Sequence, residues 1–154
     1  MTRLVFISPH EADVEAVSPL GHVRGDGFTD VSGLGKLEVR GDVEGLDGIP
    51  VGRGRKLVVV DGDVRAERDR LTAAGYRVYD QTAALAALEV EGEDLMRRLT
   101  ELDLEQLPAI GAIARGTTAL IERRGGERFR LFVPQELGQF VAEVVVDMAR
   151  GLGR

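Results

Sequence analysis

The clearest apolar pattern in the chain is Leu57-Val58-Val59-Val60, a continuous run that suits a strand buried on both faces, as in a parallel sheet. Asp63 can cap a helix over 64–74, and Gly75 supplies a left-handed stop. Tyr76–Tyr79 reads as the next strand, so a parallel β-α-β unit is expected near 57–79. Toward the C-terminus, apolar stretches at 117–122 and 127–133 flank Gly125-Gly126, which predicts a hairpin closed by a two-residue turn. After Pro134, Leu137, Phe140, Val141, Val144, Val145 and Met148 recur at helical spacing, with Val146 on the flank. Glu136, Gln139, Glu143 and Asp147 take the opposite side, and Gly151 ends the helix.

Between these landmarks the pattern is weaker. Thr82 can cap a helix over 83–90, rich in alanine and leucine, and a further helix is expected near 93–102. Asp103 and Gln106 have capping-box spacing. Leu4–Ile7 is a strand candidate, followed by a helix over 10–17 opened by Ser8-Pro9. Half of the 20 glycines fall in the first 54 residues, and 21–54 reads as Gly-rich irregular β structure, with Lys36–Arg40 alternating as a half-buried strand. Segments 3–26 and 56–80 share an order of strand, helix, glycine with aromatic, strand and aspartate, as a duplicated unit would. The expected fold is α/β or α+β: a single mixed-sheet domain over 1–154, ending in a β-hairpin and an amphipathic helix.

Composition narrows the function classes. No apolar run approaches the roughly 20 residues that span a bilayer, and the short N-terminal run lacks a signal-peptide core, so the cytoplasm is the expected location. With no cysteine there are no disulfides or thiolate metal sites. A net charge of −6 argues against a whole-surface nucleic-acid binder, although a local basic patch stays open. Lys36 and Lys56 are the only lysines among 20 basic residues, a skew of the kind that a GC-rich genome usually produces.

Several residues are candidates for chemistry. Asp61 and Asp63 stand at the end of the apolar run, where α/β folds place their sites, and a carboxylate pair can hold Mg²⁺. Residues 56–80 resemble the first half of a response-regulator receiver domain, over about a third of the chain, and Asp103 falls at a plausible distance for the acceptor aspartate. The chain departs from that family where a later lysine should stand, because none follows Lys56. The plainer account is a turn at Asp61-Gly62 with Asp63 as a cap. Ser8-Pro9-His10-Glu11-Ala12-Asp13 resembles the PHPDDE motif of zinc-dependent sugar de-N-acetylases, with His10 and Asp13 on ligand positions and Ala12 where the catalytic aspartate belongs. SGLGKL at 32–37 lacks the first glycine and the Ser/Thr of a Walker loop. In the hairpin, Arg123 and Arg128 are expected opposite each other, with Arg130 on the same face, a possible grip for phosphates or an acidic partner. On the C-terminal helix, Phe140, Val144 and Met148 can extend the core or form a dimer interface.

No complete catalytic constellation emerges, and no catalytic residue can be named. The leading reading is a non-enzymatic interaction or regulatory module without cofactor, self-associating or bound to a protein partner. The alternative is a small Mg²⁺- or phosphate-binding domain or enzyme using Asp61 and Asp63. A third is nucleic-acid binding through Arg123, Arg128 and Arg130.

Overall fold

The computed structural model describes residues 17–154. The strand expected over 4–7, the helix from 10, the His10 and Asp13 motif, and most of the first copy in the proposed duplication lie outside the described residues. Numbered in chain order, the strands are β1 (Thr29–Asp30), β2 (Gly35–Arg40), β3 (Ile49–Gly52), β4 (Arg55–Val60), β5 (Arg77–Asp80), β6 (Leu85–Glu91), β7 (Ala109–Ile113), β8 (Thr117–Gly125) and β9 (Arg128–Pro134). The helices are α1 (Val64–Ala73), α2 (Glu93–Leu99) and α3 (Gly138–Gly151). The strands form a five-stranded sheet in the order β1-β6-β9-β8-β7 and a four-stranded sheet in the order β3-β4-β2-β5. Every pairing in both sheets is antiparallel. The described residues thus form a single α+β domain with two antiparallel sheets and three helices.

Strand alternation sorts the side chains into four layers. On the small sheet, Leu37, Val39, Val58, Val60 and Val78 face α1, where they meet Val64 and Leu71. The other face brings Ile49 and Leu57 onto Ala87, Leu120 and Phe132 of the large sheet. The far face of the large sheet presents Leu88, Val90, Ile121, Phe129, Leu131 and Val133 to α2 and α3. The order is therefore α1, small sheet, large sheet, then α2 with α3.

Two sequence expectations change here. The unit near 57–79 has its strand, helix and strand, but β4 and β5 are not neighbours. They run in the same direction on either side of β2, which pairs antiparallel with both. The apolar run reports burial on two faces, by α1 on one side and the large sheet on the other, and carries no information about pairing direction. The segment expected as a helix over 83–90 is instead β6. Ala86, Ala87, Leu88 and Val90 are buried on both faces of a strand enclosed by β9, β1, α3 and the small sheet. Its small side chains let the layers approach, and tertiary packing overrides the helical propensity of alanine and leucine. At Gly138 the same tightness shows, since an added Cβ would lie 2.7 Å from the Ala86 Cβ.

The small sheet and α1 form an excursion between β1 and β6, two strands that pair directly, Asp30 opposite Leu88. Lys36 closes the neck of that excursion. It is fully buried, and its Nζ donates to the carbonyls of Ser32 at 2.7 Å, Thr82 at 3.1 Å and Leu85 at 3.0 Å. Three ammonium protons meet three acceptors. Its backbone joins the same knot, the amide donating to the Thr82 hydroxyl and the carbonyl accepting from Gln81 N–H. Ser32 extends it, its Oγ accepting from Ala87 N–H at 3.1 Å. Burial pushes the Lys36 pKa below the ordinary lysine range, with Asp80 and Asp30 acting in the other direction.

Replacing Lys36 by Met preserves most of the buried stem but orphans three carbonyls. Each unsatisfied buried acceptor costs about 1–3 kcal/mol, so Lys36→Met is expected to lower unfolding free energy by about 3 kcal/mol or more. Urea titration followed by circular dichroism measures it, and a loss below about 1 kcal/mol would show that the carbonyls find other partners.

Candidate functional site

Helix α3 and the turn before it carry two exposed large apolar side chains, Phe140 and Leu137. The helix follows Pro134 and a 3₁₀ turn over Gln135–Leu137. Gly138, Val141, Ala142, Val145, Val146 and Ala149 are buried, so the face toward the sheet is centred on small and β-branched residues. Valine is a mediocre helix former, and packing against the sheet holds it there. The helix lies close to β6 because Gly138 and Ala142 are small, which displaces the larger residues to a flank. Leu137 and Phe140 remain 37% and 39% exposed, and Val144 and Met148 are half-buried. Phe140, Val144 and Met148, at i, i+4 and i+8, make one ridge along the helix. The expected core stripe is therefore rotated: Val146 is inside, and the three residues named as interface candidates line the flank.

The three hairpin arginines do not share a face. The two-residue loop is Gly126-Glu127, with Gly125 opposite Arg128 and a bulge between Arg123 and Gly125. The extra residue turns Arg123 to the helix side, because a shift of one position exchanges the faces of a strand. There its guanidinium lies 4.9 Å from the centre of the Phe129 ring and donates to Glu93 at 2.7 Å. Arg130 points to the opposite face and is 8% exposed. It donates to Glu89 Oε1 through Nη2 at 2.6 Å and to Glu122 Oε1 through Nη1 at 3.3 Å. Arg128 is exposed at the strand end, opposite Glu91. Two of the three guanidiniums are thus occupied by carboxylates of this chain. Burial pushes the Glu122 carboxyl up, and Glu89 adds to it against Arg124 and Arg130.

Asp61 and Asp63 lie exposed between β4 and α1. Asp63 accepts from Ala66 N–H at 3.0 Å as the N-cap of α1. Asp103 likewise accepts from Glu105 N–H at 3.1 Å and opens a 3₁₀ turn after α2. Among the described residues no group of three or more His, Asp or Glu side chains is placed to hold a metal ion. A cavity of about 620 Å³ opens beside the Lys36 knot, and Asp80 is the sole titratable group among its described lining residues.

Lys36 is the residue that sequence reasoning passed over. A signal was present: both lysines of this arginine-rich chain bind main-chain carbonyls, Lys56 those of Glu44 and Leu46. A compact ammonium fits such a cage where a planar guanidinium fork does not.

Neither a protein-family model nor a curated protein matches the chain. Solved structures do. The chain is similar to one chain of the heterotetrameric sarcosine oxidase from Corynebacterium sp. U-96, solved in complex with pyrrole 2-carboxylate, with 15% identity, 90% of this chain and 97% of that chain covered, and a TM-score of 0.72. It is also similar to the ligand-free regulatory subunit of aspartate kinase from Thermus thermophilus, with 15% identity, 80% and 97% covered, and a TM-score of 0.51. At this identity the likeness establishes the fold. Among the described residues no helix is long and apolar enough to cross a membrane.

Two stability predictions follow from these placements. The raised Glu122 carboxyl binds a proton in the folded state at pH values where the unfolded chain has lost it. Its contribution to stability therefore falls as pH rises from the ordinary glutamate value through the folded one. Glu122→Gln retains an acceptor for Arg130 and removes that burden, so its stability relative to wild type should improve across that window in thermal melts at stepped pH. Asp63→Ala removes the α1 cap and should cost about 1 kcal/mol, whereas Asp61→Ala should stay within about 0.5 kcal/mol of wild type in urea titrations.

Proposed function

We propose that this protein is a non-catalytic interaction module of the subunit type, and that the flank of α3 is where a second copy of the chain docks. The observation that carries this reading is the ridge of Phe140, Val144 and Met148 with Leu137 beside it: Leu137 and Phe140 are exposed, and Val144 and Met148 touch the core with one side and stay partly open on the other. A row spaced by four residues can pack into the equivalent groove of another helix. Because the row is short and centred on Val144, a two-fold axis near that residue would set each Phe140 near the partner's Met148 end, a self-complementary arrangement. Aromatic and methionine side chains are also those enriched at protein interfaces. The structural likenesses support the module reading in kind: one similar chain belongs to a heterotetramer and the other is a regulatory subunit, as their descriptions state.

Sedimentation velocity across micromolar concentrations tests the reading. Wild type should sediment as a particle of twice 16.7 kDa. Phe140→Asp should give monomers with a nearly unchanged melting temperature, because the side chain is partly exposed in the isolated protomer. A wild type that stays monomeric at about 100 μM, well above the dissociation constants of stable dimers, would overturn self-association through α3.

A further inference from the structure

The small sheet carries a row of arginines that the α3 reading does not use. Arg40 of β2 lies opposite Arg55 of β4 on one side and opposite Arg77 of β5 on the other. All three belong to the face turned away from α1, since Leu37, Val39, Val58 and Val78 occupy the α1 side. The large sheet covers only part of this face, where Leu57 and Ile49 are buried, and leaves the arginine end uncovered. Arg55 and Arg77 are exposed, and Tyr79, next along β5 on the same face, is 42% exposed. Like charges directly opposite one another destabilise a sheet, yet here three guanidiniums stand side by side across three strands, spanning about 10 Å at the usual strand spacing.

One carboxylate offsets them. Glu38 accepts from Arg55 Nε and Nη2, both at 3.1 Å, and also pairs with Arg40. Arg77, and Arg53 in the β3–β4 turn, make no ion pair among the described residues. The patch therefore has a local excess of positive charge on a chain whose net charge is −6. Arg40 also stacks over the Tyr79 ring at 4.6 Å from its centre. Such stacking orders the guanidinium and the ring together. A flat sheet face that combines a line of guanidiniums with an exposed aromatic ring matches the demands of single-stranded nucleic acid: charge for successive phosphates and a π-surface for a base.

We propose that the uncovered face of the small sheet binds single-stranded nucleic acid, with Arg40, Arg55 and Arg77 contacting phosphates and Tyr79 contacting a base. Glu38 competes with the phosphates for Arg40 and Arg55 and so weakens binding.

Fluorescence anisotropy with a labelled oligothymidylate of about 12 nucleotides tests this on the full chain. With three phosphate contacts, a fourfold rise in salt should weaken binding by about 18-fold, and Arg77→Ala should lower the logarithmic salt slope by about 0.7. Tyr79→Ala should weaken binding about fivefold or more at fixed salt. Glu38→Gln should tighten it, an effect that loss of structure would not produce. Arg65→Ala, on the outer face of α1, serves as a control and should change little. No saturable binding at low salt would overturn the proposal. So would unchanged affinity in the Arg40→Ala/Arg77→Ala double variant, or displacement by polyglutamate as efficient as displacement by unlabelled oligonucleotide, which would assign the face to an acidic polypeptide instead.

Discussion

The fold depends on one buried cation. Lys36 sits where the chain leaves the large sheet to build the small one and where it returns, and its three protons are taken by carbonyls from both crossings. Without that ammonium, two loops would turn unpaired carbonyls toward each other. The apolar contact between the sheets is modest, centred on Ile49, Leu57, Ala87, Leu120 and Phe132. Non-directional contact of this kind sets how closely two sheets approach, whereas hydrogen bonds of defined geometry also constrain their relative orientation. The lowered Lys36 pKa records the desolvation behind this arrangement, and the matched acceptors are what make a buried charge tolerable.

A second buried charge is handled differently. Arg130 lies between two carboxylates on the face of the large sheet that looks toward the small one. There the neutralising groups are carried on neighbouring strands of the same sheet, β6 and β8. Arg130 is thus held within one sheet, whereas Lys36 ties together the two crossings between sheets. Helix α3 adds a third theme. Its approach to β6 needs glycine and alanine at the contact, and that close approach is what leaves the bulky flank outside.

Much of the architecture was legible in the residues. The Gly-rich hairpin, the amphipathic C-terminal helix, the Asp63 cap and the strand at Leu57–Val60 all rest on local rules of turn chemistry and periodicity. What was not legible depends on neighbours distant in sequence. Nothing in Ala-Ala-Leu-Ala-Ala-Leu distinguishes a helix from a strand enclosed on both faces, because alanine is chosen there for its size. Antiparallel pairing around β2 could not be read from β4 alone. The faces of Arg123 and Arg130 were separated by one bulged residue, and a single-position shift reverses every side chain beyond it. Of the candidate site, the composition of the α3 flank was visible, but its rotation relative to the core was set by Gly138 meeting Ala86.

The topology also has a meaning for how such a chain can change. Residues between β1 and β6 leave and re-enter the large sheet at paired positions, Asp30 beside Leu88, with Ser32 tied to Ala87. The small sheet and α1 are therefore a cassette on closely spaced posts. A different cassette could be spliced onto those posts with little rearrangement of the five-stranded platform, provided that it brought a cation of its own to the junction. Recombination at such a neck would let surface chemistry diverge quickly while the platform, and any assembly built through α3, stayed the same.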